Sequence, residues 1–304
     1  MHSTKRDSLT SQNFPNVLKS WTLATRPKTW IASLSPVCIG AALVGPQISW
    51  SLFLATALFS LLIQIGTNFA NDYFDFIKGA DTDEREGPKR AVQSGWISPA
   101  AMRKASLFVF GSAFLVAIPL MVIAGFWSLF ITIAAIAFGI LYTGGPKPLG
   151  YLGLGEILVF LFFGPIATCG TYYVQTQAIN DTVLLASLAP GLLSCSLLIA
   201  NNLRDEITDR AANKRTLVVR FGRIFGSLEY TFSVGVAILI PLSLVLFYKA
   251  PFNLLSVFFL FPIAIPLVKK AFFFEHPREL IALLQGSSLL LFFYTLLFFL
   301  SYLW

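Results

Sequence analysis

An all-α integral membrane protein with about nine transmembrane helices is the fold class that this 304-residue sequence predicts, and three observations predict it. Apolar residues make up 56% of the chain and charged ones only 12%, a composition that a water-soluble domain does not carry. Nine largely uncharged runs approach the roughly 20 residues that a helix needs to cross a hydrocarbon core of about 30 Å. The basic residues, finally, sort to one side of those runs.

In chain order the spans fall at 30–48, 51–70, 105–125, 127–142, 155–175, 183–203, 228–248, 252–268 and 283–303, the fourth and eighth being the shortest. Inside lipid each must be helical, because no water is there to satisfy an open backbone amide. Residues 1–29 are polar and basic, lack the apolar core of a cleaved signal and contain Asp7. They read as a cytoplasmic N-terminal tail ahead of a single transmembrane domain at 30–304. With that end inside, nine crossings put every basic residue except Lys249 in the tail or on cytoplasmic loops, and leave the C-terminus outside. A miscounted span would reverse every later loop and scatter the bases, so count and orientation support each other. The net charge of +7 is thus explained by the lipid bilayer, with no nucleic acid partner implied. A bacterial cytoplasmic (inner) membrane is the simplest location.

Cys38, Cys169 and Cys195 lie inside apolar spans and form no CxxC pair, which argues against a disulfide framework or a zinc site. His2 and His276 sit in the tail and in a loop, so histidine-based catalysis is not indicated.

The acidic residues are concentrated where two spans end. Asn68, Asn71, Asp72 and Asp75 are spaced i, i+3, i+4 and i+7, which places them on one helical face, with Asp81, Asp83, Glu84 and Glu86 following. Asn201, Asp205 and Asp209, spaced i, i+4 and i+8, repeat the pattern at the end of the sixth span, with Asn202 beside the first of them. Stacked like charges destabilise a helix and are costly near lipid, so the stripes call for a neutralising cation. Oxygen-only ligands suit magnesium, which keeps several waters and bridges one or two carboxylates to phosphate oxygens. Two such clusters would bracket one diphosphate. Glu84, Glu86 and Glu206 read instead as solvated residues that balance neighbouring bases.

Basic residues follow each stripe: Lys89 and Arg90 after the first, Lys214 and Arg215 after the second. They are placed to cap a diphosphate, whereas Arg103, Lys104, Arg220 and Arg223 read as positive-inside anchors. A third loop, YTGGPKPLGYLGLGE from Tyr142 to Glu156, holds five glycines and two prolines among fifteen residues. Glycine lets backbone approach a ligand closely, and the prolines present Lys147 at a defined place. A carrier would set its polar site near the bilayer midplane on unwound helices; polar stripes at helix ends beside basic loops favour an enzyme.

These segments carry a resemblance. NFANDYFDFIKGADTDEREGPKRAVQSG, NNLRDEITDRAANKRTLVVRFG and the RPKTW before the first span resemble the aspartate motifs and opening segment of the UbiA superfamily of intramembrane aromatic prenyltransferases, over nearly the whole chain. With YTGGPKPLGYLGLGE, the pattern is most similar to the 1,4-dihydroxy-2-naphthoate polyprenyltransferase branch of menaquinone biosynthesis. The superfamily's third aspartate falls at Gly79, so Asp81 or Asp83 takes its place here.

The resemblance implies nine helices around a central cavity open to lipid, and Mg2+ held by Asp72, Asp75, Asp81, Asp205 and Asp209. It implies a polyprenyl diphosphate contacted by Asn68, Asn71, Arg90, Lys147, Asn201 and Arg215, and an aromatic acceptor. Lys147, Arg90 and Arg215 would stabilise charge as the allylic bond breaks, with Tyr142 and Tyr151 as weak candidates for a general base, as rings facing the cation or as interfacial belt aromatics. The acceptor implied is 1,4-dihydroxy-2-naphthoate, prenylated with loss of its carboxylate; 4-hydroxybenzoate, homogentisate or an isomeric dihydroxynaphthoate are the alternatives. The 30 phenylalanines, frequent in the last three spans, serve either to line an apolar tunnel or to face lipid.

Overall fold

The computed structural model describes residues 15–80 and 87–303, and no strand occurs among them. A short helix α1 (Val17–Ala24) is capped by the Asn16 side chain, which accepts from the Lys19 N–H at 2.8 Å. It belongs to the polar N-terminal segment yet docks on the bundle: Trp21 packs edge-on against Phe69 at 5.6 Å and Ala24 is buried. The first span, α2 (Trp30–Ala42), stops short of its expected end, because Gly45 and Pro46 divert the chain into a 3-10 turn.

Helix α3 (Trp50–Ile77) runs 28 residues without interruption, well past the end of the apolar run. α4 (Pro99–Ala124) starts earlier than hydropathy alone suggests, since Ser98 caps it and Pro99 is suited to a first helical turn. α5 (Trp127–Leu141) is the short fourth span. α6 (Gly155–Leu161) and α7 (Ala167–Thr176) are joined by a π-type turn at Phe162–Ile166, where Gly164 leaves helical geometry.

The sixth span, α8 (Asp181–Arg204), is followed by the short helices α9 (Glu206–Ala211) and α10 (Leu217–Phe221), then by α11 (Arg223–Tyr248). The eighth span opens as a 3-10 helix over Phe252–Leu260 and becomes α12 (Phe261–Phe272) only at Pro262, whose missing N–H suits a new first turn. α13 (Glu279–Leu303) closes the chain. Seven of these segments are long and apolar enough to span a membrane; α2 and α5 are the two shorter ones.

α8 is the axis of the bundle, with 72% of its apolar window buried. Around it α2, α6, α7, α11 and α13 enclose the main core, where Leu193, Ile199, Leu203, Tyr230, Tyr294 and Phe298 are fully buried. Close approach is possible because Gly164 and Gly191 face each other: a Cβ on Gly191 would lie 2.7 Å from the Phe160 carbonyl oxygen. α3, α4 and α5 form a second layer, and a cavity lies between that layer and α6–α7.

Candidate active site

Because α3 stays helical to Ile77, Asn68, Asn71, Asp72 and Asp75 share one face, and all four are buried. Asn68 donates to the Thr25 carbonyl at 2.9 Å, tying the stripe to the docked N-terminal segment. Asn71 accepts from the Thr143 hydroxyl at 2.8 Å. Asp72 accepts from the backbone N–H groups of Ala91 at 3.1 Å and Val92 at 3.3 Å, with the Arg26 charge nearby. Asp75 accepts from the Tyr151 hydroxyl at 2.9 Å and pairs with Arg90 at 3.7 Å.

The second stripe is not one helix. α8 ends at Arg204, and Asp205 sits in the break before α9 with φ −93° and ψ 9°. Backbone bonds still bridge it, from Asp205 to Asn201 at 2.9 Å and from Asp209 to Asp205 at 2.7 Å, so both carboxylates stay buried at this end of the bundle. Asp205 is gripped at both oxygens by Arg204, at 2.8 Å from Nε and 2.7 Å from Nη2. Asp209 accepts from Lys214 at 3.2 Å. Asn201 turns back to donate to the Leu197 carbonyl at 3.2 Å, whereas buried Asn202 donates to Glu156 at 2.7 Å.

The glycine-rich loop joins the two clusters. Its Tyr151 ring has two ammonium groups over it, Lys78 at 5.3 Å and Lys214 at 5.8 Å from the ring centre, while its hydroxyl reaches Asp75 and its carbonyl accepts from the Arg215 N–H at 2.9 Å. Lys78 donates to the Thr143 carbonyl at 2.7 Å and to that of Gly145 at 2.8 Å, pinning the glycine turn. Burial pushes Lys78 below the ordinary lysine value, against the pull of Asp75. Burial also acts to lower Lys214, but the Asp209, Asp75 and Asp205 carboxylates outweigh it and hold that ammonium above the ordinary value. The side chains of Lys147 and Arg215 are exposed, and Arg220, read from sequence as an anchor, donates to the Leu152 carbonyl at 2.8 Å. Glu206 is balanced by Arg210 and Arg223 as expected, but at 15% exposure it is not the solvated residue that the sequence suggests.

Beneath this polar end lies an apolar cavity of about 220 Å³. α5 lines it along its whole length, from Trp127 to Tyr142, and Gln64 and Thr67 face it one to two turns below Asp72. Tyr142 lines the cavity and also stands against the start of α6, close enough that a Cβ on Gly155 would lie 2.9 Å from its hydroxyl. Four phenylalanines line the space, Phe59, Phe138, Phe162 and Phe163, none of them from the last three spans. There Phe247, Phe252, Phe259 and Phe273 are exposed, as lipid-facing side chains would be.

Four buried carboxylates from two helix ends therefore stand at the polar end of the bundle, each beside a cation of the chain, and the cavity beneath is bounded on that side by Gln64, Thr67 and Tyr142. The donor set, all carboxylate oxygen, fits magnesium. Among the described residues no three acidic, histidine or cysteine side chains close on a single metal position. Asp81, expected as a further ligand, and Asp83 lie outside the described residues. Sequence reasoning passed over Arg204, Lys78 and the pairing of Glu156 with Asn202. Only Glu156 left a signal, as a lone acid ending a tight loop.

Residues 33–296 match the family described as the UbiA prenyltransferase family. The chain is 42% identical to the 1,4-dihydroxy-2-naphthoate octaprenyltransferase of Mycobacterium tuberculosis over 66% of its length and 70% of the relative's. It is 37% identical to the enzyme of that name from Haemophilus influenzae, over 90% of this chain and 92% of the relative's. In fold it is similar to a UbiA homolog from Archaeoglobus fulgidus bound to GPP and Mg2+, with a TM-score of 0.66 at 13% identity over 93% of this chain and 99% of that one.

Proposed function

The chain belongs to the UbiA prenyltransferase family and is a prenyl-group transferase, and from that premise we propose that it joins a polyprenyl chain, supplied as its diphosphate, to 1,4-dihydroxy-2-naphthoate with loss of the ring carboxylate as carbon dioxide, giving a demethylmenaquinol. The observation that carries this reading is that the buried Asp72, Asp75, Asp205 and Asp209 share the polar end of the bundle and an apolar cavity lies beneath it, bounded on that side by Gln64, Thr67 and Tyr142. A molecule with a polyanionic head and a hydrocarbon tail matches both parts. The acceptor is assigned from the relatives' names.

Asp72, Asp75, Asp205 and Asp209 would hold magnesium, which when bound supplies positive charge to the diphosphate as the allylic C–O bond breaks. Arg90 and Lys214, already drawn to the carboxylates, are placed to take up diphosphate charge, with Lys147 and Arg215 reaching it from the exposed rim. Tyr142, at the polar end of the cavity, presents its ring to the allylic end of the chain. The apolar walls keep water from capturing the cation as an alcohol.

The test is to incubate membranes containing the protein with a polyprenyl diphosphate, magnesium and either 1,4-dihydroxy-2-naphthoate or 4-hydroxybenzoate, and to follow product by mass spectrometry. A decarboxylated, prenylated naphthol that disappears on chelation is expected. Product from the benzoate alone would overturn the acceptor while keeping the metal clamp.

A further inference from the structure

Arg204 differs from every other cation near the site. Its side chain is 1% exposed, against 22% for Lys214 and 12% for Arg90. On a continuous helix, side chains adjacent in sequence point about 100° apart and do not meet. Only the break at Asp205 turns the carboxylate back onto the guanidinium of the preceding residue, where it is held bidentately at 2.7 and 2.8 Å. The first loop closes over the pair: a Cβ on Gly87 would lie 2.9 Å from Nη2 of Arg204, so the backbone there passes directly against the guanidinium.

Two features set this pair apart from an ordinary structural ion pair. Its carboxylate belongs to the cluster assigned above to magnesium, so the arginine stands where the metal's charge is needed. The guanidinium is also not fully satisfied, because Nη1 is buried with no hydrogen-bond partner among the described residues. A buried donor left open is a cost that a purely structural arginine normally avoids.

We infer that Arg204 is a built-in counter-cation, which occupies Asp205 until a magnesium-bound diphosphate takes its place and then turns its donors to the phosphate oxygens. The inference rests on the proposed metal clamp and adds a condition to it. Without diphosphate, a divalent cation must compete with Arg204 for Asp205 and binds weakly. With diphosphate, the released guanidinium gains an anionic partner that also satisfies Nη1, so metal and substrate bind together. Arg204 is thus a positioning residue that makes metal loading contingent on the substrate's head group.

The experiment uses Mn2+ as a probe of the purified full chain in lipid nanodiscs, with free ion followed by electron paramagnetic resonance and no diphosphate present. Arg204→Gln is expected to bind Mn2+ roughly tenfold more tightly than the unaltered protein, since an opposing charge beside a carboxylate is worth one to three pK units. Arg204→Lys, which keeps the charge but loses the bidentate grip, should fall between them and guards against a failure of the glutamine variant to fold. In both variants, turnover should need a higher concentration of magnesium-bound prenyl diphosphate. Unchanged or weaker Mn2+ binding in both variants would overturn the role of Arg204. If Asp205→Asn does not weaken Mn2+ binding in the Arg204→Gln background, where Arg204 no longer competes for that carboxylate, it is the metal clamp itself that fails.

Discussion

The two aspartate clusters meet at the same end of the bundle, through Tyr151 and Lys214, but are built in opposite ways. The first lies on the unbroken α3 and draws its partners from far along the chain: the backbone of Ala91 and Val92, Tyr151 and Arg90. The second lies at a helix break and is paired with neighbours in sequence, Asp205 with Arg204 and Asp209 with Lys214. The first cluster is therefore assembled by the tertiary fold, while the second is largely preassembled within one stretch of chain. Its carboxylates are met by cations next to them in sequence, where Asp72 is met by the Arg26 charge and by two backbone hydrogen bonds.

Asparagine substitutions would break the comparison most sharply. Asp72→Asn and Asp205→Asn should each lower prenyl transfer by about 10³-fold or more, as expected when charge-stabilising groups are lost. Their stabilities should differ. Asp205→Asn strands the buried Arg204 charge, a loss of about 3–5 kcal/mol, whereas Asp72→Asn keeps an oxygen for only one of the two amides, which bond to different carboxylate oxygens, and should cost about 1–3 kcal/mol. Thermal unfolding in detergent, read beside product formation, checks both, and equal stabilities would show that the clusters are held alike.

Tyr151→Phe gives a smaller effect, because it removes the bond to Asp75 but leaves the ring beneath Lys78 and Lys214. A fall in transfer of roughly tenfold is expected, with Tyr151→Ala considerably worse because both clusters then lose their common spacer. Arg90→Gln should cost about 1–3 kcal/mol in stability, because the buried Asp75 loses a cation that stands 3.7 Å from it. The smallest change in rate is expected from Lys78→Met, whose donors face carbonyls of the glycine loop; its signature is faster hydrogen exchange at 143–145.

The membrane fold was legible in the sequence because hydropathy and the placement of bases are properties of single segments. So was the stripe on α3, where helical spacing alone sets the face. The break at Asp205 was not, since NNLRDEITD reads as unbroken helix and nothing local announces that Arg204 folds onto its neighbour. Asn201 and Asn202 show the same limit: spacing points to the first, but the Glu156 carboxylate on α6 engages the second. Tyr151 became a hub only through contacts 76 residues apart in sequence. Site residues that act through their own helical face were readable, and those that act through a partner on another element were not.

The short helix α5 has a consequence for the surrounding lipid. Its 15 residues rise about 22 Å, less than the roughly 30 Å of a typical hydrocarbon core, and Phe130 and Ile133 are exposed along it, away from the cavity. α2 is shorter still but largely enclosed, so the mismatch meets the bilayer at α5. Acyl chains beside it must compress, at a cost of fractions of a kcal/mol per Å, drawing the two headgroup layers together at the helix that forms the cavity's outer wall. Bilayer thickness thereby becomes a mechanical load on the prenyl-binding space, heavier in a thick membrane than in a thin one.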